Sequence, residues 1–202
     1  AFAESKVGHK KFYEYLANFG FEELTGITLP GEVNGNLKNI KDGGAAIDFA
    51  AASFGQGIAV TPLQLINAIS AIANKGKLMK PFIVNTEQPE ELKEVLAPET
   101  ADKVTKMMAS AVRKAELAQV PKYNVAGKTG TAQIPNFKKG GYSDQVTNTY
   151  VGFAPTSNPK FIALIKLEKP AGAPLAGQTV VPAFRELAEF ILNYYNIPPD
   201  NL

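Results

Sequence analysis

The sequence predicts an α+β (mixed α/β) fold, an antiparallel sheet flanked by helices. Three observations predict it. Residues up to about 114 carry apolar side chains at helical spacing between turn signals. Residues 123–168 change to three short segments with strand chemistry. A final segment, 181–195, returns to the helical period. Helices, then a small sheet, then one helix to pack on it, is not the alternation of a doubly wound nucleotide fold.

The first helix is expected over about Lys10 to Phe19, where Phe12, Tyr15, Leu16 and Phe19 make one apolar stripe. Gly20 then suits the position after the helix, where a positive φ costs glycine little. Thr25-Gly26 and Pro30-Gly31 punctuate Leu24 to Glu32, and Asn34 to Gly44 reads as polar surface loop. Ala45 to Ser53 predicts a short helix, and Gly55-Gln56-Gly57 a structural turn that breaks it. Thr61-Pro62-Leu63-Gln64 is a helix start: Thr61 can cap, Pro62 sits where its missing N–H does no harm, and Gln64 can close a capping box. Leu65, Ile69 and Ile72 are then the expected buried face, and Asn74-Lys75-Gly76 the end. The acidic stretch Glu87 to Glu94 is expected to be exposed. A further helix is expected from Pro98 to Lys114, with Val104, Met108 and Ala111 or Val112 inward.

Strands are expected at Tyr123 to Gln133, Thr147 to Ala154 and Phe161 to Glu168, the third as apolar as a central strand. Pro155 to Pro159 is short enough for a hairpin between the last two. The C-terminal helix is expected over Val181 to Tyr195, with Phe184, Leu187, Ile191 and Tyr195 on one face. The lone His9 reads as a solvated helix-entry residue, and Tyr150 and Phe153 as sheet packing.

Composition excludes several classes. With 21 Lys+Arg against 19 Asp+Glu, the net charge of +2 gives no case for nucleic acid. There is no Cys and one His, so thiol chemistry is excluded and no cofactor or metal is expected. No apolar run approaches the ~18–20 residues of a membrane helix, so no membrane contact is expected from this segment. The chain starts at Ala1-Phe2-Ala3 without Met. It is therefore expected to be a processed chain or an excerpt, with any anchor upstream.

The chemistry concentrates in Lys128-Thr129-Gly130-Thr131. Lys128 is a fixed cation for a carboxylate. Thr129 and Thr131 carry hydroxyls that can donate to one. Gly127 and Gly130 leave bare backbone, so that an extended peptide can lie against the strand. A backbone N–H such as that of Thr131 can face a developing oxyanion. Alternation puts Lys128 and Gly130 on one face and both Thr residues on the other, so one ligand meets both sets only at an edge or a twist. Gln133, at the strand end, can approach the same ligand, and residues 134–145 read as a loop bordering it. The competing structural reading is a glycine-broken polar strand with an exposed lysine. A phosphate-loop reading of Gly127-Lys128-Thr129 fails, because Lys122 stands where that motif needs Gly and the segment has strand chemistry.

Context decides between these. The run Tyr123-Asn-Val-Ala-Gly-Lys-Thr-Gly-Thr-Ala-Gln133, with Thr149-Tyr-Val-Gly-Phe-Ala-Pro155 after it, resembles the transpeptidase domain of penicillin-binding proteins. Thr25-Gly-Ile-Thr-Leu-Pro-Gly-Glu32, Ala52-Ser-Phe-Gly-Gln-Gly-Ile-Ala-Val-Thr-Pro-Leu-Gln-Leu65, and Pro182 through Asp200 agree with it in order. The resemblance is greatest to the class B, monofunctional group of cell-division and cell-elongation transpeptidases. It implies an incomplete penicillin-binding/transpeptidase fold, serine β-lactamase-like. It also implies D,D-transpeptidation of peptidoglycan stem peptides through a serine acyl-enzyme, inhibition by β-lactam antibiotics, and a place on the extracytoplasmic face of the bacterial membrane. On the matching positions it makes Lys128, Thr129, Gly130, Thr131 and Gln133 substrate-binding, with Lys128 and Thr131 assisting catalysis.

That family also needs Ser-x-x-Lys, whose Ser attacks, and a Ser-x-Asn element, beside Lys-Thr-Gly. The one Ser-x-x-Lys here is Ser157-Asn158-Pro159-Lys160, in the expected hairpin turn, and Pro159 forbids the helical turn that would align the pair. No Ser-x-Asn occurs. The resemblance therefore implies that residues 1–202 are the C-terminal part of a single transpeptidase domain, without a nucleophile of their own. The N-terminal part of that domain is then a partner, and lone apolar faces are expected. A D,D-carboxypeptidase or β-lactamase relative, and a non-catalytic cell-wall peptide-binding scaffold, are the alternatives.

Overall fold

The computed structural model describes residues 6–41, 43–116, 118–173 and 175–201. The chain divides into two compact units, residues 1–101 and 102–202.

In the first unit, α1 (His9–Asn18), α2 (Ala46–Ala52) and α3 (Pro62–Ala73) lie within one residue of the expected limits. Gly20 follows α1 at φ 86°. A small core joins Leu37, Ile40, Phe49 and Ala52, with Phe12, Tyr13 and Leu16 of α1 packed on it. This corrects two expectations. Residues 34–44 are not simply surface loop, because Leu37 and Ile40 are fully buried through a 3-10 turn at Lys38–Ile40. In α1, Tyr13 packs inward while Tyr15 is exposed. His9 is half-buried and stacks on Phe49 at a ring separation of 3.9 Å, so it is not a solvated entry residue.

The segment Thr25 to Glu32 closes into a ring. The Glu32 carboxylate accepts from the Thr25 N–H at 2.7 Å, the Thr25 hydroxyl at 2.6 Å and the Gly26 N–H at 3.2 Å. Desolvation pushes the Glu32 pKa up, but these three donors outweigh it and hold the group below the ordinary carboxylate value.

Helix α3 opens with the capping box read from the sequence: Gln64 N–H donates to Thr61 Oγ1 at 3.1 Å, and Thr61 N–H to Gln64 Oε1 at 3.0 Å. The Gln64 amide then donates to the carbonyls of Glu23 at 2.9 Å and Gly20 at 3.3 Å. One buried side chain therefore fixes both the helix start and the loop after α1. Its replacement in Gln64→Leu leaves the Thr61 N–H and the Glu23 carbonyl without this partner, while the Gly20 carbonyl keeps the Glu23 N–H at 3.4 Å. We expect a loss of ~2–4 kcal/mol by urea unfolding, from lost capping and an unpaired carbonyl. The expected inward face of α3 is half right. Gln64, Ala68 and Ala71 are buried, whereas Leu65, Ile69 and Ile72 are only half-buried. Two short strands escaped the sequence reading, β1 (Lys77–Met79) and β2 (Glu91–Glu94), paired antiparallel. Glu91-Leu-Lys-Glu94 has too little apolar alternation to announce itself; a Lys77–Glu91 ion pair at 2.6 Å accompanies the pairing.

Helix α4 (Pro98–Ala115) buries Ala101, Ala109 and Val112, while Val104 and Met108 are half-buried and Ala111 is exposed. In the second unit β3 (Ala126–Pro135), β4 (Tyr142–Ala154) and β5 (Phe161–Glu168) form an antiparallel sheet in the order β3-β4-β5. The central strand is thus β4. β5, read as central, is an edge among the described strands; its apolar content serves two faces. Phe161, Ala163 and Ile165 pack into a core with Phe184, Ala188 and Leu192 of α5 (Val180–Tyr194). Ile162 and Leu164 alternate to the other face. Strand β3 begins three residues later than expected. Half of residues 134–145 are hairpin arms of β3 and β4, and the turn is confined to 136–141. The buried face of α5 is Val181, Phe184, Ala188 and Leu192; Leu187 and Tyr195 point outward.

Candidate functional site

Strand β3 pairs with β4 alone among the described strands, so its other edge is without a strand partner among the described residues. An open edge offers backbone N–H and C=O groups to an extended ligand. Its close fit to β4 rests on glycine. Gly127 stands opposite Gly152, and the Tyr150 ring lies over both. A side chain at Gly127 would come within 2.5 Å of Tyr150 Cζ, and one at Gly152 within 2.8 Å of Phe184 Cζ. Gly127 is therefore buried under Tyr150 and is not bare backbone awaiting a peptide, as the sequence suggested. The room at Gly130 is likewise taken by the Thr149 hydroxyl. Tyr150 and Phe153 are buried, as expected, and Tyr150 packs on Phe184 at a ring separation of 4.6 Å. Burial raises the Tyr150 phenol well above its ordinary value.

The register separates the motif as alternation requires. Thr129 is opposite Tyr150 and Thr131 opposite Asn148, on the face that α5 covers at Tyr150. Lys128 is opposite Val151 and Gly130 opposite Thr149, on the other face. Lys128, Thr129 and Thr131 are all exposed. The Lys128 ammonium donates to the Thr129 carbonyl at 2.7 Å, so the cation folds back along its own strand. Thr131 Oγ1 accepts from the Ala176 N–H at 3.3 Å. Gln133 shares the Thr131 face, and its amide reaches toward the Ser143 carbonyl at 3.5 Å. The segment 175–179, with Ala176 on Thr131, carried no signal that the sequence reading used. Asn148, the amide in the middle of the central strand, was the available clue.

Ser157 is placed in the β4–β5 turn, beyond the end of the sheet where Ala154 pairs with Phe161. Its hydroxyl donates to Asp200 Oδ2 at 3.0 Å, and Asp200 Oδ1 accepts the Asn124 N–H at 2.7 Å. Ser157 thus ties the C-terminal segment to the sheet. Two concavities lie within single units. One of about 420 Å³ is lined by Gly20, Thr25, Gln64, Asn67 and Lys80, and one of about 490 Å³ by Arg113, Lys122, Tyr123, Arg185 and Glu189. Neither includes residues 128–133. Among the described residues no three His, Asp or Glu side chains cluster as a metal site, and no helix is long and apolar enough to cross a membrane.

An antiparallel sheet in the order β3-β4-β5, backed by a C-terminal helix and carrying a cation and hydroxyls on the edge strand β3, defines an α+β domain. The family model for the penicillin-binding protein transpeptidase domain matches residues 1–189, and the chain belongs to that family. PbpB of Mycolicibacterium smegmatis is 34% identical over 218 residues, covering 96% of this chain and 33% of its own length. Stage V sporulation protein D of Bacillus subtilis is 34% identical over 190 residues, covering 87% of this chain and 29% of its own length. The chain thus spans about a third of these relatives. Among solved structures, the transpeptidase domain of Burkholderia pseudomallei penicillin-binding protein 3 superposes with a TM-score of 0.83 at 29% identity, over 96% of this chain and 60% of that one. Mycobacterium tuberculosis penicillin-binding protein 3 in complex with ampicillin gives 0.84 at 32% identity, over 96% and 48%.

Proposed function

We propose that this chain is the C-terminal part of one transpeptidase domain, acting on the extracytoplasmic face of the bacterial membrane. That domain cross-links peptidoglycan stem peptides through a serine acyl-enzyme, and β-lactams occupy the same site. The observation that carries the reading is the open edge of β3 with Lys128 and Thr131 exposed on it. The ligand lies along this edge as an added strand. Its carboxylate meets the Lys128 charge and the Thr129 and Thr131 hydroxyls, which reach it from the two faces around the edge. A backbone N–H of the strand receives the oxyanion as the acyl group is transferred. Gln133 extends the same rim.

The nucleophilic serine comes from a segment outside these 202 residues. Ser157, the one serine in a Ser-x-x-Lys, lies past the C-terminal end of β4 and is engaged with Asp200. Exposed aromatic residues at the C-terminal end of α5 support a missing partner surface: Phe190, Tyr194 and Tyr195 are each more than 60% exposed, with ring separations of 5.6 Å for Phe190–Tyr194 and 5.0 Å for Tyr194–Tyr195.

A fluorescent penicillin tests the proposal. We expect no covalent label on the 202-residue chain alone. We expect labelling when the chain is joined to an upstream segment carrying Ser-x-x-Lys. Covalent labelling of the lone chain would sink the assignment of the nucleophile. No labelling of the joined protein would favour a peptide-binding scaffold instead.

A further inference from the structure

One hydrogen-bond chain ends on Thr131. It starts at Asn148, which is fully buried and stands directly opposite Thr131 in the sheet. The Asn148 amide donates to Thr179 Oγ1 at 3.0 Å. Thr179 Oγ1 donates to the Leu175 carbonyl at 3.2 Å. That carbonyl belongs to the peptide group whose N–H, on Ala176, donates to Thr131 Oγ1 at 3.3 Å. A single peptide plane is therefore held between the two threonines.

Each link has one possible direction. A carbonyl only accepts, so the single Thr179 hydroxyl proton is committed to Leu175. Thr179 Oγ1 must then accept from Asn148, which orients the amide with its nitrogen toward Thr179. A backbone N–H only donates, so Thr131 Oγ1 accepts from Ala176. The Thr131 hydroxyl proton is not used in this chain of bonds and is available to a ligand. Bonds aligned donor-to-acceptor in this way polarise one another. The cost is visible: Asn148 Oδ1 is buried without a hydrogen-bond partner among the described residues. An apolar side chain in the central strand would avoid that penalty but would lose the bond from the amide nitrogen to Thr179.

We infer that Asn148 and Thr179 are positioning residues for Thr131, fixing its hydroxyl, through the Leu175–Ala176 peptide group, as a hydrogen-bond donor to the ligand carboxylate. The inference rests on the reading above that the β3 edge binds that carboxylate.

The test uses the protein that carries both this chain and its nucleophile, with a penicillin and the methyl ester of the same penicillin as probes. Thr179→Val keeps the shape and breaks the link. It should slow acylation by the free carboxylate ~10-fold, the worth of one hydrogen bond to a charged group, and leave the ester unchanged. Thr179→Ser should restore the rate to within about twofold of the parent, because the hydroxyl returns. Asn148→Leu should act like Thr179→Val. Amide exchange at Ala176 reads the link without catalysis and should quicken in Thr179→Val. An unchanged carboxylate-to-ester ratio, or equal losses for both probes, overturns the positioning role. A parent protein that does not discriminate between the two probes overturns the carboxylate reading itself, and the positioning role with it.

Discussion

Replacing Gly127 by alanine is expected to cost about 3 kcal/mol of stability, the scale of a severe overpacking. The new methyl would lie 2.5 Å from Tyr150 Cζ and nearer still to its hydroxyl. Tyr150 cannot retreat: it is buried, Phe184 packs on it, and its ring also lies over Gly152. The strain must therefore push β3 away from β4, or tilt it. Urea unfolding of Gly127→Ala measures the cost. The cause is checked by a double-mutant cycle with Tyr150→Leu, which opens the space. Coupling of at least ~1 kcal/mol between the two changes is expected for residues in contact. Additive losses would mean that the Tyr150 contact is not what requires glycine. The functional consequence follows from position. Gly127 precedes Lys128, so a shifted strand carries the whole motif with it, and acylation should fall along with stability.

Lys128→Ala is expected to do the opposite, removing function and sparing the fold. In the protein that contains the nucleophile, we expect its acylation by penicillin to fall by ~10²–10³-fold, the range found when one preorganised group at a developing charge is lost. Stability should stay within about 0.5 kcal/mol of the parent, as for other exposed positions, since the ammonium bonds only to the Thr129 carbonyl of its own strand. Stopped-flow acylation and urea unfolding, run on both variants, separate the two predictions. Lys128→Ala should lose rate alone, and Gly127→Ala both. If Lys128→Ala acylates at the parent rate, the β3 edge is not the carboxylate wall.

Much of this was legible in one sequence, for identifiable reasons. The Thr61 capping box was readable because both partners lie within four residues and need no tertiary context. The β5 limits and the β4–β5 hairpin were readable because turn residues bracket an unbroken apolar run. The inward faces of the helices were read less well. Leu65, Ile69, Leu187 and Tyr195 drew attention by size, while Ala68, Ala71 and Ala188 hold the close contacts. A helix approaching a neighbour closely turns its small residues to it, and a search weighted toward large apolar side chains misses them. The strands β1 and β2 were missed because charged, three- and four-residue strands have too few positions to show a period.

What the sequence determined by itself is local: the motif, its division across two strand faces, the cap at Thr61, and the absence of a usable Ser-x-x-Lys. These depend on residue identity and backbone period alone. Only the tertiary structure decided that β4 and not β5 is central among the described strands, and that Tyr150 fills the side-chain space at Gly127. It also showed Ser157 bound to Asp200, and Asn148 reaching Thr131 through a peptide group nearly thirty residues further along the chain. Those are contacts between residues distant in sequence, formed only when the sheet closes. No pattern of spacing encodes which hydroxyl will meet which amide once it does.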